Sequence, residues 1–308
     1  MSAVSKGTTP AGAHDELEAA AWVRSMFGRV AHRYDFLNHL LSFNVDRYWR
    51  VYTVRRVRHI LERPGTRSLD LCCGTGDLTL ALERRAGSTV LGSDFCHPML
   101  VSARGKVERR GARVALFESD ALHLPVRDGS MDLVTVAFGF RNLANYQAGL
   151  AEMRRVLRPG GTAAILEFSQ PPNTLFRAVN NLYCRRILPW IGGLVSGAPD
   201  AYTYLPESVR KFPAAPELAE DMRRAGFDGV SYDYLTGGAV ALHLGVAPDL
   251  RAWVDRTRQP ITRKRALAYL GINSSDVRSV KPSTIACAIN ALSNGSWWML
   301  ARPRIAAT

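Results

Sequence analysis

Hydrophobic positions change their period along the chain. Through residues 22–60, Phe27, Val30, Tyr34, Leu37, Leu40 and Leu41 recur at roughly helical spacing among arginines, which predicts helices with one apolar face. From residue 67 onward, short β-branched or leucine-rich runs alternate with amphipathic stretches, the pattern of a mostly parallel sheet flanked by helices. Runs at 67–71, 89–93, 114–118, 131–137 and 162–168 predict five strands, with Pro159-Gly160-Gly161 punctuating the approach to the fifth. Ala225-Gly226-Phe227 closes a helix, and the runs 230–235 and 239–245 flank Thr236-Gly237-Gly238 as a terminal antiparallel hairpin. These elements predict an α/β, doubly wound domain over residues 21–245 with a seven-stranded sheet, a helical cap at 21–60 and a lid insertion at 170–212. Residues 1–20 are expected to be a flexible N-terminus, and 246–308, where the alternation stops, a basic C-terminal extension.

Composition narrows the class. Hydrophobic residues make up 47% and charged residues 22%, and no apolar run approaches the ~18 residues that span a bilayer. The N-terminus lacks a basic start followed by an apolar stretch, so a cytoplasmic location is expected. Five cysteines show neither a CxxC pair nor a secreted disulfide spacing, which predicts reduced thiols and no metal site. The net charge of +13 invites a nucleic-acid reading, but residues 247–308 carry ten Lys/Arg against three Asp/Glu. The excess is concentrated in the tail. No recognised nucleic-acid motif accompanies it or Trp297-Trp298, so an RNA-binding or RNA-modifying role is the weaker expectation.

The segment Asp70-Leu71-Cys72-Cys73-Gly74-Thr75-Gly76-Asp77 places an acidic residue near a strand end and glycines in the turn beyond it. Glycines admit close backbone approach, and the following helix N-terminus favours a carboxylate. A dinucleotide fingerprint needs a third glycine where Thr79 stands, which shifts weight from nicotinamide cofactors to S-adenosylmethionine. Asp94 closes the second strand, where a carboxylate can accept from both ribose hydroxyls, and Asp120-Ala121 follows the third, placed to grip an adenine edge.

At these residues the chain resembles the UbiE family of ubiquinone/menaquinone C-methyltransferases. The resemblance rests on FGRVAHRYDFLN at 27–38, DLCCGTGDL at 70–78, FGFRN at 138–142, MRRVLRPGGTAAILEFS at 153–169 and LTGGAVALHLG at 235–245. It implies a class I methyltransferase fold, S-adenosylmethionine as donor, and a polyprenylated hydroquinone such as demethylmenaquinol as acceptor. Family cofactor contacts carry over to Thr75, Asp94, Asp120 and Ala121, and a position often occupied by Ser falls on Ala137. Residues 246–308 have no counterpart in the family pattern.

Methylating a ring carbon requires a phenolic oxygen that is deprotonated or strongly hydrogen-bonded, and a protein that stabilises the oxyanion. Arg141, four residues after the fourth strand, suits that role, with Asn142 holding it or contacting the ring oxygen. The alternative for Arg141 is a structural ion pair with a strand-end carboxylate. Tyr34, Asp35, Asn38 and His39 on the cap and Tyr204 on the lid are further candidates to close over the acceptor, and core or capping roles remain open for them. The apolar stretch from Phe176 through Leu182, Tyr183, Ile187, Leu188, Trp190 and Leu194, with Arg185 and Arg186, suits a prenyl tail or transient contact with the inner face of the cytoplasmic membrane. A homodimer face or core packing is its alternative. Another small acceptor, a sterol or phenol, is the alternative substrate.

Overall fold

Asp15 starts the first helix, α1 (Glu16–Val30), by accepting the Glu18 N–H at 2.8 Å, while Glu16 and Glu18 complement the helix dipole. The segment expected to be flexible therefore already contains structure. Ahead of it the Thr8 N–H donates to the Leu143 carbonyl at 2.8 Å. The computed structural model describes residues 7–8, 10, 12–32, 34–183, 186 and 199–249. Lid residues 184–185 and 187–198, which include Arg185, Ile187, Leu188, Trp190 and Leu194, lie outside the described residues, as does the extension from 250 to 308.

Two more helices complete the cap, α2 (Tyr34–Leu41) and α3 (Val45–Leu61). The sheet strands are β1 (Ser68–Leu71), β2 (Val90–Asp94), β3 (Val114–Glu118), β4 (Met131–Ala137), β5 (Leu157–Phe168), β6 (Asp228–Leu235) and β7 (Val240–Val246). Between them run α4 (Asp77–Glu83), α5 (His97–Arg110), α6 (Tyr146–Val156), α7 (Thr174–Leu182), α8 (Pro199–Lys211) and α9 (Ala215–Arg224). The strand order is β3-β2-β1-β4-β5-β7-β6, with β1 to β5 parallel and β7 antiparallel to both its neighbours. The chain reverses its direction of winding between β1 and β4, and ligands of such sheets sit in the crevice this opens at the strand C-termini.

Strand alternation divides the core. Val134 and Val136 pack on one face with Leu150, Met153 and Leu218, while Leu133 packs on the other with Val57, Leu61 and Leu82. Both faces are covered, so every residue of β1 and all but the last of β4 are buried, including Ser68, Asp70, Asp132 and Thr135.

Strand β5 begins five residues before the expected 162. Its pairing with β4 skips from Met131–Leu157 to Leu133–Thr162, so Pro159-Gly160-Gly161 forms a bulge within the strand. Gly160 has φ +77, and a Cβ on Gly161 would lie 2.9 Å from the Arg158 carbonyl oxygen and 3.0 Å from that of Met131. The bulge pairs with Ala247, which donates to the Gly161 carbonyl and accepts from the Gly160 N–H. The domain thus runs past 245, because the bulge needs a partner at the end of β7.

Candidate active site

Two cavities meet at the switch point. The smaller, about 150 Å³, lies at the C-termini of β1, β2 and β3, with Glu16, Leu17 and Ala20 of α1 over it. The larger, about 480 Å³, lies among α1, α2, α3, α7 and α8. Its size falls within the range of small-molecule sites. Phe27, Tyr34 and Phe138 line both.

The crevice is built by tight turns. Cys72 and Phe138, each following a parallel strand, adopt φ +49 and +58, and a Cβ on Gly139 would come within 2.3 Å of Cys72 Cβ. An aromatic residue in left-handed backbone stores strain on the order of 1 kcal/mol or more, a cost that concentrates at functional sites.

Gly74, Asp94, Asp120, Ala121 and Ala137 all border the smaller cavity. Asp94 accepts the Gly74 N–H at 2.8 Å and the Cys96 N–H at 2.9 Å, tying the glycine turn to the end of β2. Burial pushes its carboxyl up to about 6 despite those two bonds. Asp120 accepts the Leu122 N–H at 2.9 Å and remains half exposed.

Three expected cofactor contacts are not on this wall. Asp70 is buried behind the turn, its two oxygens accepting from Thr79 at 2.6 Å and Thr135 at 2.7 Å, and burial pushes it up to about 6. Its role is to brace the turn from inside the sheet. Thr75 is buried against Asp35 and Lys106, and Gly76, at φ +83, caps α4 against Ala103.

Arg141 borders the larger cavity and is buried. Its Nη1 donates to Glu167 Oε1 at 2.9 Å and to the Phe138 carbonyl, its backbone N–H donates to Glu167 Oε2 at 3.1 Å, and the guanidinium lies 5.2 Å from the Phe168 ring centre. Burial disfavours the charge, yet Glu167 together with Tyr34 and Tyr204 outweighs it and holds Arg141 protonated beyond its ordinary range. The strand-end ion pair and the cavity-facing position coexist. Tyr34, where the cavities meet, hydrogen-bonds Asn38, and burial raises its hydroxyl.

Asp35 and Asn142 are placed differently from expectation. Asp35, one helical step round from Tyr34, turns away from the larger cavity and pairs with Lys106 at 2.6 Å, latching α2 onto α5. Asn142 does not hold Arg141. It faces the smaller cavity, and its Oδ1 accepts from the Tyr204 hydroxyl at 3.0 Å. Tyr204, which lines the larger cavity, also meets the Thr8 hydroxyl at 2.6 Å. His39 pairs with Asp46 at 2.8 Å, and His243 is packed against the Ala215 carbonyl.

The ubiE/COQ5 methyltransferase family model matches residues 14–247. A demethylmenaquinone methyltransferase of Thermus thermophilus is 51% identical over 224 residues, 72% of this chain and all of that protein. One of Deinococcus radiodurans is 46% identical, covering 75% of this chain and 95% of that one. The ubiquinone/menaquinone biosynthesis C-methyltransferase UbiE of Ralstonia pickettii is 41% identical over 75% of this chain and 94% of its own. The chain belongs to the ubiE/COQ5 methyltransferase family. Among solved structures, the cyclase SpnF aligns with TM-score 0.50 at 16% identity, covering 74% of this chain and 97% of that one, a likeness of fold.

In this ubiE/COQ5 methyltransferase, several cavity residues escaped the sequence reading. Trp49 packs on Phe138 and Phe168 at 5.6 and 6.3 Å, and its indole N–H donates to Thr236 at 2.8 Å. Asp46 and Arg50, one helical turn apart on α3, pair beside the larger cavity. Burial pushes the Asp46 carboxyl up, but the Ser42 hydroxyl and Arg50 outweigh it and hold the group below its usual value. The available signal was a DxxWR run on an otherwise surface-like, arginine-rich helix.

Proposed function

We propose that this methyltransferase moves the methyl group of S-adenosylmethionine to a ring carbon of a polyprenylated hydroquinone such as demethylmenaquinol, in quinone biosynthesis. The observation that carries this reading is the junction at Tyr34 and Phe138 of a cavity walled by Asp94 and Asp120 with a larger, mostly apolar cavity bordered by a buried arginine. The names of the relatives support the same acceptor class.

The donor set of the smaller cavity fits S-adenosylmethionine. Asp94 Oδ1 and Oδ2 keep lone pairs beyond those taken by Cys96 and Gly74, which suits two ribose hydroxyls, and Asp120 with Ala121 frames an adenine edge. When bound, this donor supplies an electrophilic methyl group. The chain's own contribution is alignment and electrostatics: Arg141 stabilises negative charge on the phenolic oxygen, and Phe138 and Phe168 wall the ring and exclude water. The paired Glu167 keeps Arg141 charged throughout, so its role is to stabilise an oxyanion and not to remove the proton.

Phe43 and Val179 line the larger cavity yet are 72% and 57% exposed, which supports a mouth between α2 and α7. Phe36, Leu40, Leu175 and Leu182 are exposed on the same two helices. Such a rim suits the inner face of the cytoplasmic membrane, with the prenyl tail passing into lipid. No helix among the described residues is long and apolar enough to cross a membrane. The test is mass spectrometry of quinones in cells lacking and re-expressing the protein. Loss of the methylated quinone with build-up of its demethyl precursor, both reversed on re-expression, is the expected result; an unchanged quinone pool contradicts the reading.

A further inference from the structure

The acceptor cavity has two arginines, and only Arg141 is accounted for by a single developing oxyanion. Arg50 stands on α3, with its side chain 11% exposed, and borders the same cavity. Its guanidinium lies 5.7 Å from the ring centre of Phe138, while that of Arg141 lies 5.2 Å from the ring centre of Phe168. The two rings are themselves in contact, their centres 4.9 Å apart. One guanidinium therefore stacks on each ring of an aromatic pair that walls the cavity.

Each arginine has a neighbouring carboxylate, Asp46 for Arg50 and Glu167 for Arg141, so the cavity tolerates both charges. Neither carboxylate exhausts the donors. Nε of Arg50 and Nε of Arg141 are both buried without a partner among the described residues. Asp46 also accepts from the Ser42 hydroxyl at 2.7 Å and from His39 at 2.8 Å, so its capacity is divided. Buried donors without acceptors are costly, and two of them on residues lining one cavity indicate acceptor atoms on its ligand.

On these grounds, and resting on the acceptor class proposed above, we infer that Arg50 is the binding residue for the second oxygen of the acceptor ring. Arg141 takes the oxygen whose charge activates the methylated carbon, and Arg50 takes the oxygen that remains. The ligand class is a flat ring with two oxygen substituents, either hydroxyls or carbonyls, and a single phenol leaves the Arg50 donors unmet. A site built to hydrogen-bond an oxygen discriminates strongly against an analogue lacking it. Arg50 thus sets selectivity for dioxygenated rings over monophenols.

The test measures equilibrium binding of a short-tailed hydroquinone and of its analogue lacking the second oxygen, to the full chain saturated with S-adenosylhomocysteine. Wild type, Arg50→Lys, Arg50→Gln and the double variant Asp46→Asn/Arg50→Gln are compared, the double variant leaving no carboxylate stranded. Arg50→Gln is expected to weaken the hydroquinone by about 10-fold to 100-fold, the scale of a charged hydrogen bond, and the monophenol by less than about 3-fold. Lys restores part of the difference because it keeps the charge without the planar fork. Equal losses for both ligands, or an unchanged preference in both Gln variants, overturn the inference and make Arg50 a structural partner of Asp46. Wild-type protein that methylates the hydroquinone yet binds both ligands alike overturns the second-oxygen site alone. Wild-type protein that methylates neither ligand overturns the acceptor assignment and the site together.

Discussion

At the scale of single residues, two carboxyls with the same raised value serve different ends. Asp94 and Asp70 are both pushed up to about 6 by burial, but Asp94 faces a cavity and Asp70 faces two threonines. A group whose folded pKa is raised binds more protons folded than unfolded, so its contribution is present below about pH 4 and is lost as pH rises through about 6. Asp70→Asn removes that loss. Relative to wild type, the variant's stability should rise by up to about 3 kcal/mol between about pH 4 and about pH 7, measured by denaturant unfolding at each pH. A difference that stays flat over this window would mean Asp70 is not raised in the folded protein. Arg141 needs a different design, because Arg141→Ala alone strands the buried Glu167. Arg141→Ala/Glu167→Gln should lower single-turnover methyl transfer by roughly 100-fold, the scale of one lost oxyanion donor, with S-adenosylmethionine affinity by calorimetry nearly unchanged. Turnover close to wild type would make the pair purely structural.

At the scale of elements, the strands were legible because short β-branched or leucine-rich runs stand out between amphipathic helices, and β3 and β4 have the expected bounds. The bulge in β5 was not, since Pro-Gly-Gly has the composition of a turn and only the pairing with Ala247 makes it strand. Gly161→Ala should destabilise the protein by about 1–3 kcal/mol in chemical unfolding, because the methyl meets two backbone carbonyls that cannot move independently. Cofactor affinity should be untouched; a neutral effect on stability would mean the bulge relaxes freely. The glycine turn shows the same limit. Its motif marked a turn that borders the smaller cavity, but which side chains face outward depends on strand alternation and helix phase, so Gly74 and Asp94 border the cavity while Asp70 and Thr75 are turned inward. The Asp46–Arg50 pair was hidden for a related reason: arginines spaced along a helix look solvated until the lid covers one face.

At the scale of the molecule, the proposed function rests on two cavities that no single segment builds. The parallel sheet supplies one wall of each, the N-terminal cap closes over both at Phe27 and Tyr34, and the lid helices α7 and α8 complete the apolar one. The family match ends at 247, the residue just past β7 that pairs with the β5 bulge. What this architecture is for is tested most directly by incubating the purified chain with isotopically labelled S-adenosylmethionine and a demethylmenaquinol, then locating the label in the product by NMR. The account predicts one labelled methyl group on a ring carbon adjacent to a phenolic oxygen; label on oxygen, or S-adenosylmethionine bound without transfer to any hydroquinone, would contradict it.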